Sequence, residues 1–179
     1  MLSILEEIYE KEITDLSNRL EFNSNYFKKF INNLPSSTNY AKGKALEDLV
    51  AYFFSCINEF KITGRNIRNF TEEIDLCLCN CSNNALFWEL GPIVLVECKN
   101  QHEKINVKTI RNLSSIMEVK GISTTILVTA SVLTKPAIGE IEKAKLTNKN
   151  IIVIYLNELL SLNKTPLQFL EDKILEYSL

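Results

Sequence analysis

Glycine and proline are scarce in this sequence, with only five and four residues in a chain of 179. This scarcity excludes a fibrous or low-complexity protein. Apolar residues make up 46% of the chain and charged residues 23%, which is close to the average for globular domains. A chain of this length can bury a core of its own, so we expect one ordinary domain with at most a small appendage.

An excess of charge is also absent, because the formal net charge is −2. Proteins that coat nucleic acid without specificity usually carry a clear excess of positive charge. The charge balance therefore argues against that class of protein. It is still compatible with a basic face confined to one side of the molecule.

Long apolar runs are missing, and no segment approaches the roughly 18 apolar residues that a membrane span needs. The first seven residues lack both the basic region and the apolar stretch of a signal peptide. The five cysteines, an odd number, are then expected to be reduced thiols. Together these features predict a cytoplasmic protein without a membrane segment.

The spacing of apolar residues predicts an α/β fold. Helical spacing is found in six segments: 2–20, about 24–34, Gly43–Glu59, 106–119, Pro136 to about Asn148, and Pro166–Tyr177. Alternating or continuous β-branched patterns predict five strands: Glu73–Cys79, Ala85–Leu90, Ile93–Lys99, Thr124–Thr129 and Ile151–Leu156. This order predicts a mixed sheet flanked by helices. The loop at 35–39 separates an N-terminal helical appendage, residues 1–40, from the main domain, residues 41–179.

The most informative residues are two charges at the end of a predicted buried strand. Glu97 and Lys99 lie two residues apart, so the period of a strand places both on one face. An unpaired buried charge is costly, so a metal ion, a counter-charge or water must compensate them. Asp75 lies on the polar face of the preceding strand and is the natural partner. Two neighbouring carboxylates repel unless a cation holds them, and oxygen ligands favour Mg²⁺ or Mn²⁺ over zinc.

Glu47 is a fourth candidate for this site. It lies at the margin of the apolar stripe of the helix Gly43–Glu59, where it could bind the metal directly or through water. Asp48 faces the opposite way on the helical wheel. A bound cation could activate a water molecule and stabilise charge on a phosphodiester, while Lys99 steadies the attacking water or the phosphate oxygens.

Basic and polar residues flank these acids. We expect these basic residues to form a phosphate-contacting rim, although solvated charges explain many such groups. They are Lys42, Lys44, Lys61, Arg65, Arg68, Lys104, Lys108 and Arg111. Asn100 and Gln101 could touch the scissile phosphate or simply form a loop.

Other candidate residues favour ordinary structural roles. Cys77, Cys79 and Cys81 alternate along a strand and lack the spacing typical of zinc sites. Cys98 is expected to pack in the core, and His102, the only histidine, to lie in a loop. Phe87 and Trp88 are more often core residues than base-stacking ones.

The chain resembles the PD-(D/E)XK nucleases, in particular the branch of Mrr-like restriction endonucleases and Holliday-junction resolvases. The resemblance covers about residues 40–160. It depends on Gly43 and Glu47, on Glu73-Ile74-Asp75-Leu76, on Val96-Glu97-Cys98-Lys99-Asn100 and on Leu127-Val128-Thr129. It implies a restriction-endonuclease-like core of order αβββαβ. It also implies Mg²⁺ bound by Asp75, Glu97 and, as an auxiliary ligand, Glu47, with Lys99 as a catalytic residue.

The resemblance implies a metal-dependent endonuclease that hydrolyses DNA in host defence, restriction or repair, and that pairs as a homodimer. The N-terminal helices could also bind a protein partner. The alternatives are a noncatalytic nucleic-acid-binding or assembly module on the same fold and an enzyme that acts on RNA. A structural salt bridge, or a nuclease fold that has lost activity, is the less favoured explanation of the acid and lysine pattern.

Overall fold

The computed structural model describes residues 22, 23, 25, 28, 39–68 and 73–178. The predicted helix at 2–20 lies outside the described residues, as does most of the one at 24–34, whose residues 25 and 28 are helical. The division into an appendage, 1–40, and a main domain, 41–179, stays a prediction. Phe22 nevertheless packs on the core of the main domain, with its ring stacked on that of Tyr52 at 5.2 Å between centroids.

The described chain forms a five-stranded sheet with helices on both faces. The strands are β1 Phe60–Arg68, β2 Glu73–Asn80, β3 Ile93–Lys99, β4 Thr124–Thr129 and β5 Asn150–Tyr155, in that spatial order. The helices are α1 Asn39–Ser55, α2 Ala85–Trp88, α3 Val107–Lys120, α4 Lys135–Lys145, α5 Leu156–Leu160 and α6 Pro166–Ser178. The first three strands pair antiparallel, and β3, β4 and β5 pair parallel. The predicted α/β fold with a mixed sheet is confirmed.

Two apolar clusters hold the helices to the sheet. The larger cluster joins α1 and α6 to β2 and β3, and Phe53, Phe54 and Phe87 are among its fully buried side chains. The second cluster lies on the other face, where α3 and α4 cover β4 and β5. Since β4 is covered on both sides, all six of its residues are buried, as its β-branched run predicts.

The prediction of a strand at Ala85–Leu90 is wrong. This segment contains the short helix α2, which begins after Asn84, whose side chain accepts a hydrogen bond from the backbone N–H of Leu86. Asparagine caps helices as readily as it forms turns, so the polar run before Ala85 does not discriminate between the two. Phe87 is buried in the core, as expected, but Trp88 is 64% exposed.

On the side away from β3, β2 pairs with β1. The segment that forms β1 was predicted to be a loop. β1 is at the edge of the sheet, and the apolar pattern is interrupted by Gly64, by charged residues and by Asn66, whose φ is +49°. A register irregularity between Ile62 and Gly64 marks a bulge. Such edge strands lack the apolar alternation on which sequence-based assignment depends.

None of the helices that the structure describes has both the length and the apolarity needed to cross a membrane.

Candidate active site

The pairing of β2 with β3 brings the predicted site residues together. Their antiparallel register extends to Leu76 opposite Val96. One position further, the strands are joined by a side chain: Asp75 Oδ2 accepts a 2.7 Å hydrogen bond from the backbone N–H of Cys98. The Asp75 carboxylate therefore lies between Glu97 and Lys99, at the point where regular pairing of the two strands ends.

The face alternation of β2 also changes at this point. Leu76 and Leu78 belong to the large cluster beneath α1, whereas Ile74 packs with Leu95 and Ile116 in a separate small cluster. The strict alternation expected for Glu73–Cys79 therefore does not extend to Ile74. This break lies beside Asp75, whose side chain lines a cleft together with residues of α1.

The predicted pairing of Glu97 with Lys99 is present as an ion pair on one strand. The Glu97 side chain is largely buried and that of Lys99 is about one-third exposed. The lysine ammonium thus lies against one carboxylate and near another, since Asp75 also affects its charge state.

These groups line an open cleft of about 570 Å³. Its walls come from α1 and the three antiparallel strands, and its lining residues are Tyr40, Gly43, Lys44, Glu47, Asn66, Arg68, Glu73, Asp75, Cys98 and Lys99. Three of the four acidic and basic residues predicted for the site, Glu47, Asp75 and Lys99, face this cleft. The carboxylates of Asp75 and Glu47 are therefore open to the cleft, whereas Glu97 is not among the lining residues and is 14% exposed.

Burial and mutual repulsion disfavour the charged forms of the two acids. Burial, and then the charge of Glu97, raise the pKa of Asp75 to about 7, against smaller opposing effects of the Cys98 N–H and Lys99. Burial raises the pKa of Glu97 as well, despite the nearby lysine. Burial alone would lower the pKa of Lys99, but the charge of Glu97 and its hydrogen bond outweigh it and raise that pKa.

Glu47 lies on the α1 wall of the same cleft but is bound by other residues. Lys44 Nζ lies 3.2 Å from Glu47 Oε2. With the Asn66 amide oriented to satisfy both neighbours, its nitrogen donates to Glu47 at 2.8 Å and its oxygen accepts from Lys44 at 3.1 Å. Glu47 is thus held within the cleft, on the side opposite β3.

The donor set is compatible with a hard divalent cation. Asp75 and Glu97 repel each other, and oxygen ligands of this type suit Mg²⁺ or Mn²⁺. Glu47, a third carboxylate, lines the same cleft. Within residues 39–68 and 73–178, however, no three histidine, cysteine or acidic side chains are gathered closely enough to hold a metal ion together. Two carboxylates meet, and the third would have to leave Lys44 to join them.

Asp48 does not line the cleft, but Lys44 Nζ lies 3.7 Å from its carboxylate. Although the helical wheel places Asp48 opposite Glu47, it is 6% exposed, and its carboxylate forms an ion pair with Arg65 of β1. This contact could not be expected from the sequence, because β1 was not predicted. The pair fixes α1 to the edge strand and so helps to hold one wall of the cleft in place.

Two of the residues predicted to contact nucleic acid, Lys44 and Arg68, line the cleft. Four others named for this role, Asn100, Gln101, Lys104 and Lys108, do not. Asn100 has a structural contact, since its Nδ2 donates to the backbone oxygen of Lys42 at 2.6 Å and ties the end of β3 to α1. Gln101 donates to the backbone oxygen of Glu103 at 3.0 Å. The remaining two, Lys104 and Lys108, are exposed and do not line the cleft.

The cysteines and the histidine have the ordinary roles expected. The five cysteines are free thiols, and Cys98 packs against the large core cluster. The sulfurs of Cys79 and Cys81 lie 3.8 Å apart at the far end of β2. His102 is exposed in the loop after β3.

Sequence reasoning missed three residues of the cleft as site residues: Tyr40, Asn66 and Glu73. Asn66 lies on β1, and recognising residues 60–68 as an edge strand would have placed it beside the site. Glu73 enters the analysis as a strand residue and as part of the motif Glu73-Ile74-Asp75-Leu76, without a role of its own, although it lies two residues from Asp75.

Three solved structures are similar to parts of this chain. EndoMS in complex with double-stranded DNA is 21% identical, with a TM-score of 0.37, and the match covers 55% of this chain and 38% of that one. A repair endonuclease from Pyrococcus abyssi is 20% identical, with a TM-score of 0.42 and coverage of 67% and 47%. SfsA of Pyrococcus furiosus in complex with Ca²⁺ is 18% identical, with a TM-score of 0.37 and coverage of 65% and 57%. The chain thus spans between about two-fifths and three-fifths of each of these proteins.

No curated protein matches the chain at a significant level. A match to a protein family is found for residues 39–163, from the first residue of α1 to the loop before α6. This match covers more than half of the chain and includes the whole sheet and every residue of the cleft. The chain therefore belongs to the Mrr_cat family of restriction endonucleases.

Proposed function

We propose that this protein is a metal-dependent endonuclease that hydrolyses DNA phosphodiester bonds at the cleft between α1 and the ends of β2 and β3. The observation that carries the proposal is the meeting of Asp75 with the Glu97–Lys99 pair in an open cleft, in a chain of a restriction endonuclease family. The pKa values of two neighbouring, partly buried acids are raised, and such perturbed groups in a cleft are typical of functional sites.

Asp75 and Glu97 would hold Mg²⁺, with Mn²⁺ as a substitute, and Glu47 would serve as an auxiliary ligand. When bound, the cation would lower the pKa of a water molecule and neutralise charge that develops on the phosphate. The backbone N–H of Cys98 fixes the orientation of the Asp75 carboxylate. The Glu97 side chain is 14% exposed and is held by its ion pair with Lys99.

Lys99 is proposed as the electrophilic helper. Its side chain reaches the cleft and its raised pKa keeps the ammonium charged at neutral pH. The group can donate hydrogen bonds to a phosphate oxygen or orient the attacking water. The ion pair with Glu97 holds the ammonium at the strand end while DNA is absent.

Several wider properties are part of the same proposal. Residues 41–179 would form the nuclease domain and residues 1–40 an appendage, which could contact a protein partner. Two active sites would allow both strands of a duplex to be cut in one complex, so we propose a homodimer. A role in defence or restriction in the cytoplasm would fit the family.

The experiment is an incubation of the full chain with supercoiled plasmid, single-stranded DNA and RNA, each with Mg²⁺, with Mn²⁺ and with EDTA. We expect cleavage of DNA with either metal, none with EDTA, and none for Asp75→Asn or Lys99→Ala. The matched control is Asp172→Asn, an exposed acid that lies outside the cleft and is paired with Lys164. DNA binding without cleavage would instead identify a noncatalytic module, and cleavage of RNA alone would contradict the choice of substrate.

A further inference from the structure

An exposed arginine lies at the mouth of the cleft. Arg68 is the last residue of β1, and its side chain is 70% exposed. It lines the same cleft as Asp75 and Lys99. Its guanidinium is bound by Glu73, the residue opposite it on β2, whose side chain is 48% exposed.

The geometry of this pair leaves much of the guanidinium unused. Nε and one terminal nitrogen of Arg68 both donate to a single oxygen of Glu73, at 2.8 and 2.7 Å. Arginine binds phosphate most strongly when two parallel N–H groups meet two different oxygens. A phosphodiester offers that pair of oxygens, so it can compete with Glu73 for the N–H groups of the Arg68 guanidinium.

The energetic cost of exchanging partners is low. Exposed ion pairs contribute between about 0 and 1 kcal/mol, because water screens both charges. Lys44, a second basic residue that lines the cleft, is less available to bind a phosphate. It is within 4 Å of both Glu47 and Asp48 and also contacts Asn66.

We propose that Arg68 is a substrate-binding residue that grips a DNA phosphate beside the one to be cut, and that Glu73 occupies this arginine until DNA arrives. The inference rests on the proposed function, because it places the DNA backbone across the cleft mouth. It goes beyond that function by assigning a phosphate-binding residue and an internal competitor. Glu73 then acts as an acidic substitute for the phosphate, which lowers affinity for DNA but keeps the arginine in position.

The test measures binding of a short fluorescein-labelled DNA duplex in EDTA by anisotropy, over a range of salt concentrations. Arg68→Ala should weaken binding by roughly 10-fold or more, as for loss of a charge-assisted hydrogen bond. It should also reduce the slope of log K against log salt by about 0.9, the value for one phosphate contact. Glu73→Gln should tighten binding by up to about fivefold, since an exposed pair no longer competes.

A double-mutant cycle separates this mechanism from a general effect of charge. If Glu73 competes for Arg68, then Glu73→Gln should give little gain in the Arg68→Ala background. A gain of equal size in both backgrounds would overturn the proposal. The control pair is Lys164 and Asp172, which is similarly exposed. Lys164 lies beside the opposite end of α1, near Ser55 and Asn58, and Lys164→Ala and Asp172→Asn should leave both affinity and salt slope unchanged.

The two proposals fail in different ways. An Arg68-dependent affinity in EDTA, without cleavage in Mg²⁺, would contradict the nuclease proposal and support the role of Arg68. Metal-dependent cleavage with unchanged binding by Arg68→Ala would support the nuclease and overturn the phosphate-binding role. Equal melting temperatures of the variants, measured by circular dichroism, exclude loss of folding as the cause.

Discussion

Replacing Asp75 by asparagine should stabilise the metal-free protein while it abolishes cleavage. The pKa of Asp75 is raised from 3.8 to about 7, chiefly by burial and then by the charge of Glu97. At a pH between these two pKa values, Asp75 is protonated more often in the folded state than in the unfolded state. The free energy of unfolding therefore falls as the pH rises from about 4 to about 7, and the full penalty is present above 7. Asparagine carries no charge and can still accept the hydrogen bond from Cys98.

The size of the effect follows from the same shift. The difference between 3.8 and about 7 corresponds to roughly 4 kcal/mol. Because the side chain lines an open cleft and water partly screens it, we expect about half of this, roughly 2 kcal/mol, at pH 8. At pH 5 the penalty is only partly present, so the gain should shrink to less than about 1 kcal/mol.

Urea unfolding of both proteins in EDTA at pH 5 and at pH 8 measures this difference. The reasoning is refuted if Asp75→Asn lowers the free energy of unfolding at pH 8, or if its gain is the same at both pH values. Asp172→Asn provides the baseline, since its carboxylate is half exposed and lies outside the cleft. Addition of Mg²⁺ should stabilise the natural protein more than the Asp75→Asn variant, because only the former retains both proposed ligands.

Three further predictions concern other parts of the molecule. Lys99→Met should abolish cleavage and leave DNA affinity within about fivefold, as measured by anisotropy in EDTA. Lys99 is paired with the largely buried Glu97, so it contributes less to phosphate binding than the exposed Arg68 does. A variant that still cuts at the normal rate contradicts the role of Lys99. Asp48→Ala should lower the free energy of unfolding, measured in urea, by about 2 kcal/mol, because Arg65 loses its largely buried partner. An unchanged urea midpoint would show that the Asp48–Arg65 pair does not stabilise the packing of α1. In urea unfolding, Phe87→Ala should lower the free energy of unfolding by about 3 to 5 kcal/mol and Trp88→Ala by less than about 1 kcal/mol. The Phe87 ring is buried, whereas Trp88 is 64% exposed. Similar losses for both variants would contradict the placement of α2.

The fold was predictable wherever a segment is buried on a simple pattern. β4 has the bounds expected from its β-branched run, because a strand covered on both faces must be apolar throughout. The helix before β4 and the one after it were also placed to within a few residues. One error fell on β1, an edge strand whose exposed positions interrupt the apolar pattern. The other fell on α2, because the polar residues before its apolar run can either form a turn or cap a helix.

The sequence by itself was enough to name the residues that we propose for the chemistry. Glu97 and Lys99 share one strand and stay neighbours by the geometry of that strand alone. Asp75 could be named as their partner, because it is an acid on the polar face of the preceding strand. Two neighbouring carboxylates can share a bound cation.

Only the tertiary structure decided what surrounds these residues. The register of β2 on β3 places the Asp75 carboxylate against the Cys98 N–H, a contact across 23 residues of chain. The pairing of β1 with β2 brings Arg68 against Glu73, and the packing of α1 brings Glu47 to Asn66 rather than to the other acids. These contacts depend on pairing energies and side-chain packing over long separations, which no local pattern of residues encodes.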